Sequence, residues 1–273
     1  MNAPDLIFSG AASRAALPDV QSSADRRDIA IQKVGVRDVR HPVRLRTADG
    51  QSQPSIATLQ MTVALPPEVK GTHMSRFLEV LGAHDAALDA EALGGLLDTM
   101  LLRLGASAGA ITVRAPYFRR KVAPVSGVAS LLDYEVTLHA ECSDGQRVLR
   151  QSVDVPVTSL CPCSRDISDY GAHNQRSRIS IGADLREALA VDELIDIAEA
   201  AASCQLWGLL KRPDEKYVTE YAYDHPKFVE DLVRDVAVAL RADRRIAAYT
   251  VASENFESIH NHSAWAWLEG RNP

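Results

Sequence analysis

Apolar residues alternate with polar ones in some stretches of this chain and recur every three or four positions in others, and the two rhythms divide it into elements. From Ile29 to Leu65 the pattern predicts strands. Within it Gln60-Met61-Thr62-Val63-Ala64-Leu65 alternates in polarity and stops at Pro66-Pro67, which cannot continue a ladder. A helix is predicted over Ser75 to Leu81, with Phe77, Leu78 and Leu81 on one face. A second is predicted from Asp89, a natural N-cap, to Leu104, with Gly105 as its stop. Leu93, Leu96, Leu97, Met100 and Leu101 recur along it at helical spacing. Strand signals return at Ala110 to Tyr117 and at Asp133 to Glu141. Ser143-Asp144-Gly145-Gln146 reads as a hairpin turn into Arg147 to Val157.

The second half repeats this order. Arg147 to Ser159 and Gln175 to Ile181 are strand-like, and Val191 to Trp207 reads as a helix with Asp192 and Glu193 in its first turn. Another helix is predicted from Pro226 to Arg241, with Phe228, Val229, Leu232, Val233, Val236 and Leu240 as its apolar stripe. Strands near Ala247 to Ala252 and Ile259 to Leu268 close the chain. Two rounds of strand, strand, helix, helix, strand, strand predict an α+β architecture of antiparallel sheet with helices on one face. Residues 29–146 and 147–273 are the expected tandem units, and residues 1–28, rich in Ala, Ser and Asp, an expected loosely held arm.

Bulk properties narrow the function. The 273 residues carry a formal charge of -6, which argues against a generally cationic face for nucleic acid or anionic lipid. No apolar run approaches the roughly 18 to 20 residues needed to cross a bilayer. The first residues lack a cationic stretch leading into an apolar one, so the expected address is the cytosol. There the thiols of Cys142, Cys161, Cys163 and Cys204 are expected to be buried, metal-bound or reactive rather than paired. Cys161 and Cys163 stand one residue apart, which strains any disulfide between them. Gly-x-Gly-x-x-Gly, Walker and Gly-x-Ser-x-Gly patterns are all missing, which disfavours Rossmann, P-loop and serine-hydrolase chemistry.

Candidate chemistry gathers in three stretches and at one isolated acid. Between Cys161 and Ser177 lie two thiols and the imidazole of His173, donors that zinc and related divalent metals accept. The same pattern also suits two small residues at a proline-kinked strand end beside a surface histidine. Lys211-Arg212-Pro213-Asp214-Glu215-Lys216 reads as a solvated loop or, alternatively, as the source of a hard ligand, Glu215, for a metal that keeps one position open to water. The third stretch is Ser253 to Ser263. If Ile259 to Leu268 is a strand, His260 and His262 share a face and suit proton transfer or metal binding. Glu230, on the helix after Pro226, is not required by that helix's apolar stripe. His73 is a weaker candidate from the first half.

Ser159-Leu160-Cys161-Pro162-Cys163-Ser164 and Tyr170-Gly171-Ala172-His173-Asn174-Gln175-Arg176-Ser177 together resemble the GTP cyclohydrolase type IB family. Leu17-Pro18-Asp19-Val20-Gln21, Gly71-Thr72-His73-Met74-Ser75-Arg76-Phe77, Lys211 to Glu215 and His225 to Asp231 extend the resemblance to most of the chain. It implies a tunnelling fold, a homotetramer with sites at subunit interfaces, and conversion of GTP and water to 7,8-dihydroneopterin triphosphate and formate, the first committed step toward folate. It further implies one divalent cation per site (zinc, manganese or iron) held by Cys161, His173 and Glu215. Cys163 would be the second active-site thiol, although spacing alone leaves the roles of the two thiols interchangeable. His260 and His262, with Glu257, would carry protons, and Glu230 would grip the guanine edge. Arg165, Arg176, Arg178, Lys211 and Lys216 are the candidate cations for the triphosphate. Two other readings fit the same residues. One is a tunnelling-fold nitrile reductase acting on a 7-deazaguanine with NADPH and no metal, and the other is a non-catalytic assembly that binds metal or purine.

Overall fold

The computed structural model describes Gln21 and residues 23–273, so most of the expected arm, Leu17 to Val20 included, lies outside the described residues. The elements run β1 (Ile31–Arg46), β2 (Ser52–Leu65), α1 (Met74–Gly82), α2 (Ala90–Leu104), β3 (Gly109–Val122), β4 (Ala129–Ser143) and β5 (Gln146–Leu160). They continue with α3 (Pro162–Ile167), β6 (Asn174–Leu185), α4 (Val191–Ala201), β7 (Cys204–Gln205), α5 (Arg212–Asp224), α6 (Val229–Ala242), β8 (Ile246–Asn255) and β9 (Ala264–Arg271). The strands form one antiparallel sheet in the order β1-β2-β3-β4-β5-β6-β8-β9, with short β7 pairing against β5.

Local chemistry sets the element ends. Asp89 caps α2 by accepting from the Ala92 N–H at 2.8 Å, and Gly105 ends it in the left-handed region at φ 63°. The β4–β5 hairpin turns on Asp144 and Gly145, both at positive φ, which matches the right-handed twist of the flanking strands. Inward positions of the strands, among them Met61, Ile111, Leu138, Val155 and Ile181, meet Leu97 and Met100 of α2, Leu194 of α4 and Val236 of α6 in one buried cluster. Alternation by two along each strand leaves the opposite face bare of helices.

A row of polar contacts ties the two halves together. Tyr117, Arg119 and Lys121 lie on one face of β3, and Asp192, Asp196 and Glu199 on one face of α4. The Tyr117 hydroxyl donates to Asp192 at 2.5 Å, and Arg119 reaches Asp192 at 3.0 Å and Asp196 at 2.7 Å. Lys121 meets Glu199 at 2.6 Å, and the other Glu199 oxygen accepts from the Tyr134 hydroxyl at 2.7 Å. Burial together with the acidic partner pushes both tyrosine hydroxyls well above the usual phenol range.

Four sequence expectations need correction. Helix α4 ends at Ala201, not Trp207, because the chain turns extended at Ala202 so that Cys204 and Gln205 can pair with Thr158 and Val157. The stretch from Lys211 is a helix rather than a solvated loop. Pro213 suits its first turn, and Asp214 reaches back to accept from the Lys211 N–H at 2.8 Å. Helix α6 begins at Val229 instead of Pro226, because the Lys227 N–H is spent on the Leu160 carbonyl and Asp231 caps the helix through the Phe228 N–H. Strand β9 begins at Ala264, so residues 259–263 form a loop and the strand argument for His260 and His262 fails.

Candidate active site

Strand β5 delivers Cys161 to one end of the sheet. Its backbone N–H bonds the His173 carbonyl at 3.2 Å, closing the loop between β5 and β6 at its base. Cys161 then caps α3: its carbonyl accepts from the Ser164 hydroxyl at 3.1 Å, and its sulfur from the Ser164 N–H at 3.5 Å. Pro162 starts the helix, and Cys163 follows in the same turn, exposed where Cys161 is half-buried.

His173 is held on several sides. Its Nδ1 lies 2.9 Å from the Gln175 side-chain oxygen, 3.5 Å from the Ser258 hydroxyl and 4.0 Å from a Glu257 carboxylate oxygen. His173 immediately precedes β6, and Gln175, the second residue of that strand, points to the helix-covered face with Ser159 and Ser177. The loop that supplies Glu257 is anchored by the Phe256 N–H on the Arg176 carbonyl at 3.0 Å. Further along it, His260 and His262 are exposed, with their rings stacked at 5.2 Å. Helix α6 opens at the same end, since Lys227, three residues before Glu230, donates to Leu160, the neighbour of Cys161. Glu230 is exposed in its first turn.

Residues 17–266 match the family described as type I GTP cyclohydrolase folE2. The chain belongs to that family. It is 60% identical over 253 residues to the GTP cyclohydrolase FolE2 of Paraburkholderia phymatum, covering 93% of this chain and 94% of that one. The GTP cyclohydrolase FolE2 of Burkholderia pseudomallei strain 1710b is 59% identical over 254 residues, with 93% and 96% covered. Among solved structures, a uricase from Arthrobacter globiformis superposes with a TM-score of 0.52 at 9% identity, over 88% of this chain and 93% of that one. A urate oxidase mutant from Bacillus sp. TB-90 also gives 0.52, at 8% identity, over 89% and 100%. At such identities the likeness shows the fold alone: the cyclohydrolase chain is an α+β tunnelling fold.

Of the family-implied residues, the fold brings Cys161, His173 and Glu257 to one end of the sheet and starts the Glu230 helix beside them. Glu215 is placed differently. It sits exposed in the first turn of α5, whereas Arg165 of α3 lies 4.9 Å over the ring of Tyr223, eight residues further on and so about 12 Å along the axis. Among the described residues no three His, Cys, Asp or Glu side chains converge closely enough to hold a metal. The donor types at Cys161 and His173 nevertheless suit a divalent cation, a thiol and an imidazole whose Nδ1 is already engaged. His73 caps α1 beyond the end of β2, which is the opposite end of the sheet from the end of β5. Arg176 and Arg178 face the bare side, where Arg178 pairs with Glu254 at 2.7 Å. No described helix is long and apolar enough to cross a membrane.

Two structural supports escaped the sequence reading. Gln175 could have been found from its place two residues after His173 in a strand. Asp214, fully buried, could not. Burial pushes its carboxyl up, but bonds from Ser126, both hydroxyl and backbone, and from the Lys211 and Val125 N–H groups outweigh this and hold it well below the ordinary range. It thereby fixes α5 against the β3–β4 turn. A carboxyl depressed in this way adds stability that is complete above its unfolded value of about 4 and is lost as pH falls toward the depressed one. Asp214→Asn is therefore expected to lower the thermal midpoint at neutral pH and to flatten its fall on acidification. An unchanged midpoint in a thermal melt counts against the assignment.

Proposed function

We propose that this chain opens the imidazole ring of the guanine of GTP by hydrolysis, giving 7,8-dihydroneopterin triphosphate and formate as the first committed step toward folate. The family match along residues 17–266 carries this reading. The gathering of Cys161, His173 and Glu257 at one sheet end, with Glu230 on the adjoining helix, supports it.

In this reading Cys161 and His173 hold one divalent cation, zinc, manganese or iron, with Glu215 as third ligand drawn in from α5 or supplied by a neighbouring copy. When bound, the cation lowers the pKa of water so that it can add to C8 of guanine. Glu230 accepts from N1–H and the 2-amino group, which orients C8. Glu257 and the stacked pair His260 and His262 move protons on and off the ring nitrogens as the ring opens and formate leaves. Cys163, exposed beside Cys161, is the second thiol of the site. Arg165, in the same short helix as Cys163, is a candidate cation for the triphosphate. Among the described residues no strand covers the outer edge of β9, where Trp265 and Trp267 are exposed, and this supports assembly with further copies into a tetramer in the cytosol.

The deciding experiment incubates the protein with GTP and manganese or zinc and measures formate together with the fluorescent pterin formed on oxidation. GTP bound without formate overturns the proposal, and NADPH oxidation with a 7-deazaguanine nitrile would replace it by the reductase reading. For Glu230→Gln, loss of charge-assisted bonds worth about 1.5–3 kcal/mol should lower kcat/KM for GTP by roughly 10- to 150-fold. It should also narrow the preference for GTP over inosine triphosphate, which lacks the 2-amino group. An unaltered preference removes Glu230 from the purine site.

A further inference from the structure

Beneath His173 the covered face of the sheet carries a cluster of buried polar side chains. Ser159 and Ser177 are at most 1% exposed, Gln175 7% and Asn255 4%. From His173 Nδ1 the chain of contacts runs 2.9 Å to Gln175 Oε1, then from Gln175 Nε2 2.9 Å to Ser159 Oγ, then 2.6 Å to Ser177 Oγ. Asn255 is the register partner of Ser177 on β8, and its side-chain oxygen is buried without a partner.

We propose that Gln175 is a positioning residue: with Ser159 and Ser177 it keeps the His173 proton on Nδ1, leaving Nε2 as the electron-pair donor. The inference rests on the reading of His173 as a metal ligand. A glutamine amide alone permits either tautomer, because it can offer oxygen or NH2 to the imidazole. The Glu257 carboxylate, 4.0 Å from Nδ1, chooses between them, because it favours a proton at that nitrogen over a lone pair. Each link then donates onward in one direction, from imidazole N–H to amide oxygen, amide N–H to Ser159, and Ser159 to Ser177. Reversing the relay would place the Nδ1 lone pair before a carboxylate.

Three proteins test this: the unaltered chain, Gln175→Met, which keeps the volume and removes the amide, and Gln175→Glu, which keeps an acceptor toward Nδ1. Imidazole nitrogen shifts of the metal-free protein report the tautomer, and competition titration with Zn2+ reports affinity, both independent of turnover. The unaltered chain should show His173 protonated at Nδ1. Gln175→Met should show mixed tautomers and bind Zn2+ about 10- to 100-fold more weakly, while Gln175→Glu stays within a few-fold of the unaltered chain. A proton on Nε2 in the unaltered chain overturns the proposal. So does full Zn2+ affinity in Gln175→Met, or weak affinity in a folded Gln175→Glu. His173→Ala separates the two levels: if it leaves Zn2+ affinity unchanged, the ligand reading fails and Gln175 has nothing to position.

Discussion

Cys161→Ser is expected to leave the fold intact and to slow formate release from GTP by about a thousandfold or more, a loss of roughly 4 kcal/mol of transition-state stabilisation. The fold survives because the backbone holds this position. The Cys161 N–H bonds His173, its carbonyl accepts from Ser164, and serine is among the best residues for the helix cap that Cys161 occupies. Activity is lost because a hydroxyl near neutral pH is neither the thiolate that a borderline-soft cation selects nor a comparable nucleophile. Metal content measured on the purified variant should fall with the rate. The parallel Cys163→Ser protein resolves what the spacing left open: it should keep its metal and lose rate at the chemical step. If instead Cys163→Ser loses metal and Cys161→Ser retains it, the two thiols exchange roles. If Cys161→Ser keeps both metal and rate, the site is elsewhere.

Much of the fold was legible because local rules fixed it. Asp89 and Gly105 bound α2 where cap chemistry places them, and Asp144-Gly145 turns the hairpin it encodes. The failures share a physical cause, which is that a distant partner decided the local conformation. Val191 to Trp207 reads as one helix by periodicity, yet the free edge of β5 takes Cys204 and Gln205 as a strand. Pro226 is a good first helical residue, yet the Leu160 carbonyl claims the next N–H. Lys211 to Glu220 looks solvated because Asp214 is charged, and only the turn around Ser126, 88 residues away, explains its burial. For the site, the Cys161 to Ser177 stretch was readable as a unit because the β5–β6 loop closes on itself. The approach of Glu257 required the β6–β8 pairing, and nothing local signals it.

The ion pair between β3 and α4 was invisible for the same reason, and its removal should give the largest stability loss. Lys121 and Glu199 lie 2.6 Å apart with side chains 7% exposed, and they join residues 78 positions apart across the two halves. Glu199→Gln preserves volume and the acceptor for Tyr134 but leaves the Lys121 ammonium buried without its counter-charge. Breaking such a pair from one side costs about 3–5 kcal/mol, or a thermal midpoint lower by roughly 6–20 °C for a chain of this size. Lys121→Met with Glu199→Gln should recover most of that, because the stranded charge is removed with its partner and the Tyr134 hydroxyl keeps an acceptor. Burial already pushes the Lys121 ammonium below its ordinary range against the pull of Glu199, and without Glu199 it should fall further. A lysine whose folded value is depressed penalises the fold while charged, so the deficit of Glu199→Gln should shrink as pH rises toward 10. Urea unfolding of the four proteins in the cycle, at neutral and at alkaline pH, measures this directly. If the single and double variants are equally unstable, or the deficit does not change with pH, the pair is not what joins β3 to α4.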